Sequence, residues 1–581
     1  MKKIVTYLKP YAWGIVLVFF LVGLRAVLDL LLPTILGRLV SEGIGISGTE
    51  LTPDIQRIYD LSFLMLAISV VSIGTTILGG FFESRISASF ARDLREAVYK
   101  KIGSFSLAEM DHFTTSSLIT RSTNDIQQLQ TYVNMLMRMI ILQPVLAAGA
   151  IAFSVAQQPT LSMILIASVT ALVVMLVIIF SVTMPKFSLI QKLVDRLNLV
   201  TRENLSGLRV VRAFNTETLQ AERIDKASHE AMKLNVFVNR MTGVLWPVMS
   251  LIMGGTSLAI VYFGSRYFVG VDGFEPGSLM ALMQYAMRAI MSFMFMSMLF
   301  ILIPRAAISA RRVSEVLKME PSITDPEHPV SLPPAMTGEI VFDKVGFQYP
   351  DAPEPVLCSI SFTAEAGKTT AFIGSTGSGK STLINLIPRF YERTTGSITI
   401  DGIDIKDMKL EDLYQLIGYV PQKGVLFSGS IRSNVMFGND SEDSDACDRA
   451  VEIAQAKEFV DQYDDGADHA ITQGGTNVSG GQRQRLSIAR AIAKNPLIYI
   501  FDDAFSALDY ATDRKLRTML DDNVKATRLI VAQRISTIRK ADRIIVLDKG
   551  NIVGQGTHDE LMKTSEVYRE IATSQLDKEE L

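Results

Sequence analysis

Six apolar runs occupy the first half of the 581-residue chain, at about 13–36, 61–82, 136–156, 160–182, 244–268 and 279–303. A bilayer core takes about 20 mostly apolar residues per helix, and in lipid every backbone polar group must be bonded within the spanning element. Runs of this length leave a helical membrane bundle as the architecture for this half. The first run follows Lys2, Lys3 and Lys9. It is too long for the apolar core of a signal peptide and lacks a small-x-small cleavage site. It reads as a retained helix with its amino terminus in the cytoplasm.

The connections differ in charge. A long stretch after the second run carries Arg85, Arg92, Arg95, Lys100, Lys101 and Arg121. Another, after the fourth, carries Lys186, Lys192, Arg196, Arg202, Arg209, Arg212, Arg223, Lys226, Lys233 and Arg240. Between Ser41 and Asp60 only Arg57 is basic. Basic loops stay on the cytoplasmic side, which places both long stretches and both termini there, in a multi-pass protein of the cell membrane. Neither stretch has a Pro or Gly cluster, so both read as helices continuing beyond the lipid. The sixth run carries Met280, Met283, Met287, Met291, Met294 and Met298, spaced by three or four and so on one helix face. Such a face either packs on another helix or lines a path for varied apolar ligands. Arg288 in the same run needs a cavity or a partner. Arg25 and Asp29, one turn apart, have each other.

A polar, Pro-rich segment, Glu320 to Pro334, follows. It divides the chain into a membrane domain at 1–319, a linker at 320–336 and a domain at 337–581. The last has the composition of an ordinary soluble domain. A net charge of −3 gives no reason to expect a nucleic-acid partner. Cys358 and Cys447 are too few for a disulfide framework and lack metal-ligand spacing, which fits a reducing compartment.

In "AFIGSTGSGKSTLINLI", from Ala371, an apolar strand runs into Gly374, Ser375, Thr376, Gly377, Ser378, Gly379, Lys380, Ser381 and Thr382, then an apolar helix. The glycines let backbone N–H groups curve around phosphates at a helix N-terminus, Lys380 reaches the β- and γ-phosphates, and Ser381 serves Mg²⁺. The loop alone means only a nucleoside triphosphatase. Downstream, Ser479, Gly480, Gly481 and Gln482 open an amphipathic helix. In "IYIFDDAFSALD", Ile498 to Asp509, a strand delivers Asp502 and Asp503 to a turn. Asp502 is placed to partner Mg²⁺. Gln422, in "YVPQ", is placed to sense metal or γ-phosphate.

These motifs, in this order after six membrane runs, resemble the ATP-binding cassette exporter family over nearly the whole chain. The resemblance implies a polytopic α-helical membrane domain fused to an α/β P-loop nucleotide-binding domain. It implies two cassettes sandwiching two ATP molecules, each between the phosphate loop of one and the "SGGQ" of the other. Tyr349 matches the aromatic that stacks on adenine, although a tyrosine at a sheet edge is the plainer reading. Asp509 matches the acid that reaches across the dimer. Segments 113–121 and 212–217 match the coupling turns that touch the cassettes. His558 has nothing to aim it at phosphate and reads as structural.

Two positions depart from the family pattern. Efficient hydrolysers place Glu where Asp503 stands and His where Gln533 stands. A carboxylate shortened by one methylene pulls back by roughly 1.5 Å from the water it must reach. A Gln amide can donate a hydrogen bond but cannot relay a proton. The pair resembles the slow-site subunit of heterodimeric multidrug exporters, whose intact "SGGQ" completes a competent site on a second half-transporter. A tolerant homodimer exporting lipid or peptide, and a nucleotide-gated channel, remain as alternatives. A soluble chromosome-maintenance ATPase conflicts with the membrane runs. Few intramembrane charges and the methionine face favour a hydrophobic or amphipathic small-molecule substrate, and the six spans have membrane lipid as their other partner.

Overall fold

The computed structural model describes residues 2–44, 53–270, 276–350, 352–439 and 444–575. The chain divides into two compact units: Met1–Ile102 with Ser116–Lys318, and Gly103–Thr115 with Met319–Leu581. The second therefore includes a thirteen-residue piece that the contiguous sequence division assigns to the membrane domain.

The first unit is helical. Among the described residues, six helical stretches are long and apolar enough to cross a membrane: Ile4–Gly43, Ile55–Gly103, Thr115–Gln157, Pro159–Ser206, Glu217–Arg266 and Gly277–Ser297. The basic connections are continuations of these helices. Ile55–Gly103 runs unbroken for 49 residues and Pro159–Ser206 for 48. Large apolar side chains such as Trp13, Phe63, Ile77, Leu251 and Leu258 point outward, as helices bathed in lipid require. Lipid offers no hydrophobic drive between helices, so packing and hydrogen bonds hold them. Tyr285 Oη donates to Leu30 O at 2.8 Å, Thr256 Oγ1 to Ser168 Oγ at 2.7 Å, and Ser309 Oγ to Asp125 Oδ1 at 2.8 Å. Asp29 sits 3.6 Å from Arg25 Nε and also accepts from Ser72 Oγ at 2.8 Å, so a neighbouring helix shares that charge pair.

The methionine face divides. Met283 packs on the cluster around Leu30, Ala150 and Leu282, and Met294 on that around Leu172, Met249 and Ile290. Met280 and Met287 stay about half exposed. Met291 and Arg288 are half-buried, and the Met298 side chain lies outside the described residues.

The second unit contains β1 (Ile340–Phe347), β2 (Leu357–Ala364), β3 (Thr369–Gly374), β4 (Thr395–Ile400), β5 (Ile403–Asp404), β6 (Ile417–Val420), β7 (Gly429–Ser430), β8 (Ala470–Ile471), β9 (Ile498–Asp502), β10 (Thr527–Val531), β11 (Arg543–Asp548) and β12 (Asn551–Gly556). Strands β2-β1-β4-β5 form an antiparallel sheet and β12-β11-β3-β10-β9-β6 a second sheet, parallel from β11 to β6. Strands β3 and β9 are buried almost throughout and read as continuous apolar runs because helices cover both faces of a parallel sheet. Cores on its two sides centre on Phe372, Leu383 and Leu529, and on Phe501, Leu486 and Tyr568.

The thirteen-residue piece is fastened to this unit. Ser106 caps the helix Leu107–Phe113 in a capping box with Glu109. The buried Glu109 also accepts from Ser322 N at 3.1 Å, and Tyr391 Oη donates to Asp111 at 2.7 Å. The first cassette-contacting segment is thus the helix at 107–113, one to two turns before the expected 113–121. The second expected segment lies in the first unit, where the short helix Leu208–Ala213 leads into the exposed Phe214. The linker is irregular but stitched down: Val330 N donates to Asp407 O at 2.8 Å and Leu410 N to Asp325 Oδ1 at 2.7 Å.

Candidate nucleotide site

In an open parallel sheet, ligands bind beyond the carboxyl ends of the strands. Here four neighbouring strands deliver the expected residues to that edge. The phosphate loop follows β3, Gln533 follows β10, Asp502 ends β9 with Asp503 just after it, and Gln422 follows β6. They line a cleft of about 800 Å³ with Val356 and Val531. The loop needs its glycines. Gly374 has φ 155°, and a Cβ there would collide with Leu547 O; Gly379 has φ 97° at the N-cap of Lys380–Asn385.

Lys380 Nζ donates to the carbonyls of Gly374 at 2.8 Å and Ser375 at 2.7 Å, which holds the charge under the loop. Burial lowers its pKa, opposed by Asp503 and Asp502. Ser381 Oγ donates to Asp502 Oδ1 at 2.9 Å. Burial raises the Asp502 carboxyl above its ordinary value, against the Ser381 bond, and Asp503 adds to the rise. Asp503 is also buried, and its Oδ2 accepts two amides: Gln533 Nε2 at 2.8 Å and Gln422 Nε2 at 3.1 Å. Its backbone is left-handed, φ 49°, a region Asp tolerates better than most side chains.

The residues matching the second half of the motif set lie elsewhere. Ser479, Gly480, Gly481 and Gln482 are not in the cleft lining. Ser479 caps the helix Gly480–Ala493, with Gln482 N on its Oγ and its own N on Gln482 Oε1 at 2.8 Å. Asp509 caps the helix Tyr510–Asn523 by accepting from Thr512 N at 2.9 Å. Tyr349 is also outside the lining; its hydroxyl is 3.0 Å from Thr382 Oγ1 and its ring stands edge-on to Tyr391.

The chain matches two family models: ABC transporter transmembrane region over residues 15–313 and ABC transporter over residues 357–506. It is an ABC transporter. It is 36% identical over 573 residues to an uncharacterized ABC transporter ATP-binding protein of Mycobacterium tuberculosis, covering 98% of this chain and 97% of that one. It is 34% identical over 584 residues to YfiB of Bacillus subtilis, again named an uncharacterized ABC transporter ATP-binding protein, covering 100% and 99%. The ATP-dependent lipid A-core flippase of Syntrophus aciditrophicus is 31% identical over 532 residues, 88% of this chain and 85% of that one. The fold is that of a bacterial Atm1-family ABC exporter solved with ATP bound, TM-score 0.78, 23% identity, covering 98% and 99%.

The transporter therefore binds ATP and couples its hydrolysis to transport across a membrane, as an exporter half with one membrane domain and one cassette. Motif reading missed two supports of its site. Gln484, buried in the helix after Ser479, holds the Gln422 loop from both sides: its Oε1 accepts from Gly424 N at 3.0 Å and its Nε2 donates to Pro421 O at 3.1 Å. The helix Glu566–Gln575 contributes Glu570, Ile571, Ser574 and Gln575 to the cleft wall. No local pattern marks Gln484 or Gln575, because each bonds a loop at least 40 residues away.

Proposed function

We propose that this transporter exports hydrophobic or amphipathic compounds across the membrane as one half of a heterodimer, and that its own site binds ATP but hydrolyses it slowly. The observation that carries this is the environment of Asp503. One carboxylate oxygen already holds both the Gln533 and the Gln422 amides. A general base must reach its water within about 3.2 Å. Asp503 is one methylene short for that task, with an acceptor oxygen committed elsewhere. Gln533 has no titratable proton to return. Ser381 and the buried Asp502, whose side chains already meet, would hold Mg²⁺, and Gln422 lines the same cleft. When bound the ion neutralises charge on the phosphate oxygens. Lys380 and the loop amides bind the phosphates, and Tyr349, whose hydroxyl meets Thr382 at the end of the loop, takes the adenine-stacking role that the family resemblance implies.

The Ser479–Gln482 turn stands outside this chain's cleft, which supports a site completed by a second cassette. Termini on the cytoplasmic side follow from the basic helical connections. A second reading, a lipid exporter, draws support from the flippase relative. The test is titration of the purified chain with a half-transporter carrying Glu and His at the positions matching Asp503 and Gln533. Turnover should appear on mixing, and a Ser479→Ala chain should fail to produce it. Full turnover by the chain as a homodimer would overturn the reading.

A further inference from the structure

The switch residue Gln533 is held from behind. The side-chain amide of Gln575, on the last turn of the helix Glu566–Gln575, bonds the backbone on both sides of Arg534. Its Nε2 donates to Gln533 O at 2.8 Å, and its Oε1 accepts from Ile535 N at 2.9 Å. A primary amide offers a donor and an acceptor side by side, so one side chain pins both groups like a strand neighbour. The helix itself is anchored in the core. Tyr568 and Ala572 are fully buried, and Tyr568 Oη lies 2.8 Å from His558 Nδ1. A rigid element thus fixes the main chain of residues 533–535, and from there the Gln533 side chain reaches 2.8 Å to Asp503 Oδ2.

We propose that Gln575 is a positioning residue for the nucleotide site: it holds the Gln533 loop so that the Gln533 amide faces the cleft and the γ-phosphate. This rests on the reading of the cleft as the ATP site. It assigns to the carboxy-terminal helix a part in nucleotide binding that the phosphate-binding motifs leave open. The helix side chains Glu570 and Ser574 on the same wall give it a direct view of the cleft. Loosening the helix end would release Gln533 without disturbing Lys380, Ser381 or Asp502.

The test uses the full chain in nanodiscs with trinitrophenyl-ATP as the binding probe. Gln575→Ala should weaken binding roughly fivefold, the scale of one net hydrogen bond, with an unchanged melting temperature, because the side chain is exposed. Gln575→Glu sets a carboxylate oxygen against Gln533 O and adds negative charge to the cleft wall, and should bind no better than Ala. Gln533→Ala should weaken binding by a similar factor, and the Gln533→Ala/Gln575→Ala double variant should bind like Gln533→Ala alone, since both changes remove one interaction. Additive losses would overturn the proposal, as would unchanged binding in Gln575→Ala. Retained ATP binding with high turnover by the chain alone would instead count against the slow-site reading and leave this one standing.

Discussion

Replacing Glu109 by Ala should free the helix Leu107–Phe113 from the second unit. Three donors end on this carboxylate: Ser106 N at 2.8 Å and Ser106 Oγ at 2.7 Å on Oε2, and Ser322 N at 3.1 Å on Oε1. Hydrogen bonds to a charged group contribute about 1.5–3 kcal/mol each. Ser322 is exposed and Ser106 half-buried, so water recovers part of each loss. A net cost of about 2 kcal/mol follows, roughly a thirtyfold rise in the local opening constant. Glu109→Gln keeps a neutral acceptor and should cost about half as much. Burial alone would raise the Glu109 pKa, but the bonds from Ser106 and Ser322 outweigh it and hold the carboxyl below its ordinary value. The sign follows: the stabilisation is fully present above the unfolded carboxyl value of about 4.3 and is lost as pH falls through the lower folded value. Native-state hydrogen exchange of the full chain reads this directly. Protection of residues 103–115 and of the Ser322 amide should drop together, with the β3 and β9 amides unchanged. Unchanged protection in the Ala variant, or an even loss across the whole unit, would refute the reasoning.

Ser381→Ala removes the bond to Asp502 and, on the proposed reading, a hydroxyl that would hold Mg²⁺; ATP affinity measured by calorimetry should then fall about tenfold with Mg²⁺ present and little in its absence. The divided methionine face makes a paired prediction. Met280→Ala and Met287→Ala, both half exposed, should change the transported-substrate profile with little effect on melting. Met283→Ala and Met294→Ala, which pack on helix clusters, should lower stability by about 2 kcal/mol, at the low end for Met→Ala in a core, with selectivity unchanged.

The parts of this protein legible in the sequence are those with a local physical cause. Length and apolarity gave six spans, and the strand–glycine–helix pattern gave a loop whose strained backbone only glycine accepts at Gly379. The clustering of Gln422, Asp502, Asp503 and Gln533 was implied by the family resemblance, and the neighbouring strands β6, β9 and β10 supply its physical cause. Other features depend on pairings across the chain. The Ser106–Glu109 capping box is a local signal, but its bond to Ser322 spans 213 residues, so the anchored helix was expected one to two turns too late. Gln575 reaches a loop 40 residues back, and nothing in its neighbourhood foretells that. The unusual Asp503 and Gln533 were legible as departures; that they bond each other was not.

The central claim is that Asp503 contributes little as a base, and the turnover of the purified, reconstituted chain before and after Asp503→Asn tests it. The chain alone should release phosphate well below the roughly 1 per second at the low end of ordinary enzymes, and Asp503→Asn should change that rate less than about threefold, against the 10²–10⁴-fold of a working general base. A wild-type rate of several per second that collapses about a hundredfold in Asp503→Asn would contradict it.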